Sequence, residues 1–410
     1  MRHQGINHQS MGHSNKLVVF NLIRIRGPIT RTELAQVSGL SKAAISSSVN
    51  KLLDRKLIKE SKHEGYEEVG RKPHLLSINP QAGYFVSIDI GFRETFFSIT
   101  NFGNQRVAKH KTDTPQNWNQ ILDLLIKNIK ETSRWSDVPY EKIKGVSIGI
   151  PGVVNEDGVV SYVPKLGNSQ KFPLKKELSS EIELPLLLEN NDNLATLGES
   201  SVQYGDYPNL VYISFHRDGI GSGIVIDGSL YRGAANHAGE IGWLVTDRNS
   251  LKGKRRDNQG FLESHITAPA ITKKCRDLLE KRESDDPLLD EVKSTQEVDA
   301  KTIFRNYRTS SVANQIIQEW VKDVATSLVA VSSILDPDLI ILGGEIIESA
   351  KPIFPELTDL LDNHTQRTPK IEVSTNYLDN VLQGGAQICF ENLDTLIWEE
   401  EAPSRRNMNF

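Results

Sequence analysis

The sequence predicts two parts of different class: a small segment of three helices and a β-hairpin over residues 1–80, and a duplicated α/β body after it. Three observations predict this. Residues 1–80 hold 13 Lys and Arg against 6 Asp and Glu, whereas the remainder holds 35 against 47, so a basic segment precedes an acidic body. Helical periodicity in the first 55 residues is interrupted by glycine turns. From residue 81 onward, a β-meander followed by helix and strand patterns occurs twice, with a glycine turn after the first strand each time, which indicates two related lobes closing over a cleft.

With 410 residues the chain is long enough for two or three cores. Hydrophobic residues at 38% and charged residues at 25% exclude a disordered or fibrous class. The start, "MRHQGINHQSMGHSNK", lacks the apolar stretch of a secretory leader, and no apolar run approaches a membrane span, so a cytoplasmic location is expected. Cys275 and Cys389 lie far apart in apolar surroundings and are expected to be core residues, not a disulfide or metal pair.

In the N-terminal segment, Leu17, Phe20, Leu22 and Ile23 mark a helix that should stop at Gly27-Pro28. Thr30 with Glu33 forms a capping box, and Gly39 should close that second, short helix. Ser41 is placed to cap a third, whose stripe Ile45, Val49, Leu52 and Leu53 should be buried. That leaves Lys42, Ala43, Ser46, Ser47 and Asn50 outward, small and amide side chains suited to the edges of bases in a DNA groove. A strand, polar loop and strand follow over 56–79, and Arg71 and Lys72, before Pro73, offer two cations to a phosphate backbone or minor groove. The same helix pair also serves elsewhere as a plain structural hairpin; the net positive charge favours double-stranded DNA as partner.

In the body, "GYFVSIDIGFRETFFSITNFGNQRVAKHKT" reads as three meandering strands, then a helix in 117–135 and a buried strand "KGVSIGIPGVV". The second round comprises "NLVYISF", "DGIGSGIVIDGSLYRG", a long helix around 319–336 and the strand "LIILGGE". Residues 283–300 are expected to form a polar surface excursion and 399–410 a frayed tail.

Taken with "ENNDNLATLGE", "HAGEIGW" and "FLES", these patterns resemble the repressor, open reading frame, kinase (ROK) family, in its transcriptional repressor branch. The resemblance implies an N-terminal winged helix-turn-helix plus an actin-like, ribonuclease-H-like two-lobed body. The domains would be 1–80 for DNA binding, 81–200 for the first lobe (completed by about 380–398) and 201–379 for the second lobe, with the effector cleft and dimerisation surface. Against the family pattern, Phe92 replaces a glycine in the first phosphate loop and Asp218 a threonine in the second, so ATP is not expected. Asn191 falls on the general-base aspartate and cannot accept a proton, which implies no kinase activity and no catalytic residue. Gly343 and Gly344 match the adenosine loop or serve simply as a packing turn.

The family's zinc ligands are a histidine in "ExGH" and three cysteines. Trp243, Lys254, Arg256 and Phe261 occupy those places here, so no metal is expected, with Trp243 and Phe261 packing in its stead. The family's sugar contacts correspond to Asn190, Asn191, Glu240 and Glu263, carboxylates and amides that can select hydroxyl groups. Two departures are Lys165, where the family has asparagine, and Trp243, where it has histidine; Lys165 would also suit an acidic sugar or a sugar phosphate. His237 is a further candidate. The expected partners are operator DNA, a small sugar-type effector and a second copy of the chain, as a homodimer or dimer of dimers reading half-sites about 34–36 Å apart. Two other readings stay open: a sugar kinase with an accessory DNA-binding arm, and a ligand-free docking or dimerisation body.

Overall fold

A computed structural model describes residues 8–62, 74–161, 163, 171–202, 204–216, 219–251, 260–282, 286–292, 294–374 and 377–393. The chain forms two units, residues 1–190 with 385–410, and residues 191–384. The chain crosses between them at Asn190/Asn191 and at Gly384/Gly385, earlier than the 200/201 boundary expected for the first crossing.

The first unit opens with α1 (His8–Arg26), β1 (Ile29–Thr30), α2 (Arg31–Ser38) and α3 (Lys42–Asp54), then the hairpin strands β2 (Ile58–Lys62) and β3 (His74–Ile78). The order β1-β3-β2 makes a small antiparallel sheet. Local chemistry fixes the helix boundaries. Thr30 and Glu33 complete a reciprocal capping box at the start of α2, and Gly39 ends it in the left-handed region at φ 67. The Ser41 side chain caps α3 by accepting from the Ala44 N–H. Val19, Phe20, Ile23, Leu34, Ile45, Val49 and Leu52 are buried together; Leu53 is only half-buried and Ser48 joins the inward face instead.

A five-stranded sheet follows, built from β4 (Tyr84–Ile90), β5 (Glu94–Asn101), β6 (Arg106–Asp113), β7 (Ile143–Ile150) and, after the short pair β8 (Val153–Val154) and β9 (Val160–Ser161), β10 (Leu186–Asn190). Its order is β10-β7-β4-β5-β6. The meander β4-β5-β6 is antiparallel, while β7 and β10 add in parallel. Helices α4 (Trp118–Lys130) and α5 (Leu174–Ser179) contribute to its core. The N-terminal helices are not separate from this unit: their core continues into Phe85, Phe102, Cys389, Phe390 and Leu393. Phe85 and Phe390 meet edge to face at 5.1 Å, and the Arg24 guanidinium lies 4.3 Å from the centre of the Phe390 ring.

The second unit starts with α6 (Asn191–Val202) and repeats the sheet: β11 (Leu210–Phe215), β12 (Ile220–Ile226), β13 (Ser229–Leu230), β14 (Leu339–Gly343) and β15 (Lys370–Val373), in the order β13-β12-β11-β14-β15. Counted along the chain, both sheets run third, second, first, fourth, fifth, with the same parallel and antiparallel pairings. Around it lie α7 (Glu263–Ile266), α8 (Ala268–Arg282), α9 (Ala300–Asn306), α10 (Ser311–Leu335), α11 (Glu345–Ala350) and α12 (Phe354–His364). The last helix, α13 (Tyr377–Glu391), begins in the second unit and ends in the first. Within the second unit it lies against α6 so closely that a methyl at Gly384 would overlap the Leu194 carbonyl, and one at Gly198 the Asn380 carbonyl.

The surface excursion expected over residues 283–300 is pinned to the core at a few points. Residues 283–285 and 293 lie outside the described set, but the described part forms two 3-10 turns that bury Leu288, Val298 and the Asp286 carboxylate. Asp286 caps the first turn and accepts from the Val312 N–H of α10. A few widely spaced apolar anchors are enough to pin a polar segment without producing a periodic pattern. The expected 399–410 tail lies outside the described residues.

Candidate functional site

Two groups of candidate residues emerge. On α3, Lys42, Ala43, Ser47 and Asn50 are exposed and Ser46 is half-buried, while the opposite face enters the core. Arg71 and Lys72 lie outside the described residues. Two hydrogen bonds that the sequence did not signal reach this surface: Arg31 Nη1 donates to Asn50 Oδ1 (3.0 Å) and Nη2 to Glu60 Oε1 on β2 (3.4 Å).

The second group belongs to the second unit. Asn191 and Asp192 open α6, and Asp192 turns inward against β11 and β12, so tightly that any side chain at Gly221 would collide with its carboxylate. Ser214 Oγ donates to Asp192 Oδ1, and His216 Nε2 lies 3.0 Å from the same oxygen and 2.9 Å from Ser214 Oγ. Burial alone would raise the Asp192 pKa, but the charge of His216 and the hydrogen bonds from His216 and Ser214 outweigh it and hold the carboxyl below its ordinary range. The proton of Ser214 is thus directed to a carboxylate and not to the imidazole, unlike an activated serine nucleophile.

Glu240 follows Gly239, whose φ of +87 and contact with β12 leave no room for a side chain: a methyl there would sit 2.2 Å from the Ser222 carbonyl oxygen. Ser222 Oγ donates to the Gly239 carbonyl at 2.6 Å and fixes this turn. Glu240 stays open to solvent, yet surrounding protein crowds its carboxyl. This crowding, with the negative fields of Asp192 and Glu263, raises its pKa, while a hydrogen bond from the Trp243 side chain opposes the rise. Glu263, first in α7, accepts from the Gly260 N–H (3.2 Å) and the Ile220 N–H (3.4 Å), so its carboxylate also ties two backbone segments together. Trp243 is 44% exposed and Phe261 pairs with His265 at 4.2 Å. His237 is exposed, and Lys165 is outside the described residues. In the first unit, the Asn190 side chain donates to the Gly152 carbonyl at 3.0 Å.

The structure therefore joins Glu240, Glu263 and Trp243 into one polar cluster and adds Asp192, Ser214 and His216, none of which stood among the expected site residues. The signal for Asp192 was its place in the first turn of α6, where a carboxylate suits the positive end of the helix. Other residues of the same motif prove to be packing elements: Glu199 is 1% exposed and accepts from Asn380 Nδ2 at 2.6 Å.

At two of the positions where the family resemblance implies zinc ligands, Trp243 donates to Glu240 and Phe261 packs on His265, and neither ring is a metal ligand; Lys254 and Arg256 lie outside the described residues. Around the first glycine turn, Gly91 and Phe92 line a space of about 10 Å³, enough for a single water. Gly343 and Gly344 are each explained by packing, since side chains there would strike Tyr212 Oη and the Phe215 carbonyl. A cleft of about 660 Å³ on the second unit, lined by Lys273, Arg276, Lys301 and Glu345 among others, includes neither Glu240 nor Glu263.

A pair of five-stranded sheets with one topology, the second reached through α6, defines the class: an actin-like body of the sugar-kinase type. Residues 85–387 match the ROK family, and the chain belongs to that family. It is 27% identical over 347 residues to the xylose repressor of Caldicellulosiruptor bescii, covering 83% of this chain and 85% of the relative. Among solved structures it is similar to a ROK family transcriptional regulator, a homologue of Escherichia coli Mlc, with a TM-score of 0.79 and 23% identity over 94% of this chain and 98% of that one. A ROK family glucokinase from Streptomyces griseus, solved with glucose and AMPPNP, gives 0.59 and 22% over 75% of this chain and 99% of the kinase. No helix among the described residues is long and apolar enough to cross a membrane.

Proposed function

We propose that the protein is a cytoplasmic, sugar-responsive transcriptional repressor: a winged helix-turn-helix binds operator DNA, and a sugar or sugar derivative held by the second unit alters that binding. One observation carries the reading. The basic helical segment shares a continuous hydrophobic core with the kinase-like first unit, through Phe85, Phe102 and Phe390, so it is built into the body and not appended to it. The sugar would be held by Glu240 and Glu263 with Asn191 and His237 as further contacts, and Trp243 would offer an aromatic face beside Glu240. Xylose is the first candidate, given the similarity to a repressor of that name. In this reading the body does no chemistry. Asn191 supplies no base, and Asp192 directs its charge to Ser214 and His216. Neither ATP nor a metal takes part, and operator binding requires a homodimer or dimer of dimers.

A thermal-shift screen of D-xylose, other neutral sugars, acidic sugars and sugar phosphates, repeated with operator duplex, tests this. At least one compound should stabilise the protein and change its operator affinity, with no ATP-dependent phosphorylation of any of them. Coupled nucleotide and sugar turnover would establish the kinase reading instead.

A further inference from the structure

Arg31 sits at the first position of α2, and its backbone is fixed by the capping box, in which the Thr30 N–H donates to Glu33 Oε2 at 2.8 Å. From that anchor its guanidinium forks to Asn50 on α3 and to Glu60 on β2, and Glu60 in turn lies 3.7 Å from His74 Nδ1 on β3. Four elements of the DNA-binding segment are thus tied at one point. Stability does not account for it. The Arg31 and Glu60 side chains are 32% and 29% exposed, and partly exposed ion pairs of that kind add little to stability.

The chemistry of the Asn50 contact is more specific. A guanidinium has no acceptor, so the amide facing it must present its carbonyl oxygen, and the NH₂ group is left pointing away. An asparagine that reads adenine in the major groove uses both ends of its amide, oxygen toward N6 and nitrogen toward N7. Its oxygen keeps a second lone pair, but while it is held toward Arg31 the amide cannot swing both ends onto one adenine, so Asn50 meets a base through its NH₂ donor.

We propose that Arg31 is a positioning residue for DNA readout: it locks the Asn50 amide as a hydrogen-bond donor, so that Asn50 selects guanine, with two adjacent acceptors, or thymine O4 over adenine, whose N7 acceptor lies beside the N6 donor. The proposal rests on α3 being the recognition helix. Arg31 itself touches neither base nor phosphate in this scheme.

The test uses the full-length protein and a duplex selected by it from a randomised library, with each base substituted in turn at every position. Asn50→Ala should erase the preference for guanine or thymine at one position per half-site. Arg31→Ala, or Arg31→Met if the alanine variant folds poorly, should relax that position, with adenine gaining about fivefold or more relative to wild type. At that position the double variant should behave as Asn50→Ala alone, because the two residues act through one contact. The slope of log affinity against log salt should not change. An Arg31 variant with the wild-type base profile, while Asn50→Ala loses the preference, overturns the proposal. So does a slope shallower by about one, which makes Arg31 a phosphate contact. If Asn50→Ala changes no position, it is the recognition-helix reading that falls, and the proposal with it.

Discussion

In the first unit the turn after the leading strand passes through Gly91 and Phe92 over a space of about 10 Å³; in the second, the equivalent turn leaves β11 at His216 and enters β12 at Ile220 among Asp192, Ser214 and Glu263. The backbones of the two sheets follow one plan, yet their side chains serve opposite ends. The first unit concentrates aromatic rings: Phe85, Phe102 and Phe390 merge its core with the N-terminal helices. In the second, Asp192, Glu240 and Glu263 gather, and burial together with the two neighbouring carboxylates makes the ionised form of Glu240 costly. One chain path thus carries two different interiors, one an aromatic core continuous with the N-terminal helices and the other a cluster of polar and charged side chains.

The comparison is broken most decisively through Phe390. Phe390→Ala removes a fully buried ring that meets Phe85, Phe102 and Arg24, and such truncations cost about 3–5 kcal/mol. Chemical denaturation should show that loss, and hydrogen exchange should rise in α1, α3 and β4 more than in β11 and β12. Equal rises in both sets would mean that the aromatic core does not distinguish the units. Asp192→Ala probes the other side. It leaves Ser214 and His216 without their acceptor, at about 1–3 kcal/mol, with the exchange rise confined to α6, β11 and β12. For Asp192 the sign follows from its lowered pKa: the stability it contributes is present above its unfolded pKa and is lost as pH falls through the folded value, so Asp192→Ala and wild type should converge in strong acid.

How much of this was legible follows from the length scale of each signal. The capping box at Thr30 and Glu33, the Ser41 cap and the glycine stop at Gly39 are local patterns, and the helices begin and end where they indicate. The alternation of meander and α/β unit is also local, and so the duplicated topology could be anticipated. Contacts that join distant segments could not. Nothing near position 192 announces that its carboxylate meets residues 214 and 216, and nothing near 31 points to 50 and 60. Glu263, expected as a sugar contact, is also a tie between backbone N–H groups, a role that only the folded chain displays.

A finer distinction within the second unit concerns Glu240, whose raised pKa has a consequence for ligand binding. If its ionised carboxylate accepts from a sugar hydroxyl, affinity should be full above the raised pKa and fall as pH drops through it, beginning at a higher pH than an ordinary glutamate would allow. Glu240→Gln should weaken binding about tenfold at neutral pH, in keeping with the loss of a hydrogen bond to a charged group, and should flatten that acid limb. Trp243→Phe is the smallest change. It keeps the ring and removes the N–H that favours the ionised form of Glu240, so the limb should move further toward neutral pH, with affinity at pH 8 reduced no more than a few-fold. Isothermal titration across pH 5–8 separates the two roles of Trp243. A shifted limb with little loss at pH 8 identifies the indole N–H as a tuner of Glu240, whereas an unshifted limb with uniformly weaker binding leaves Trp243 only its contact surface.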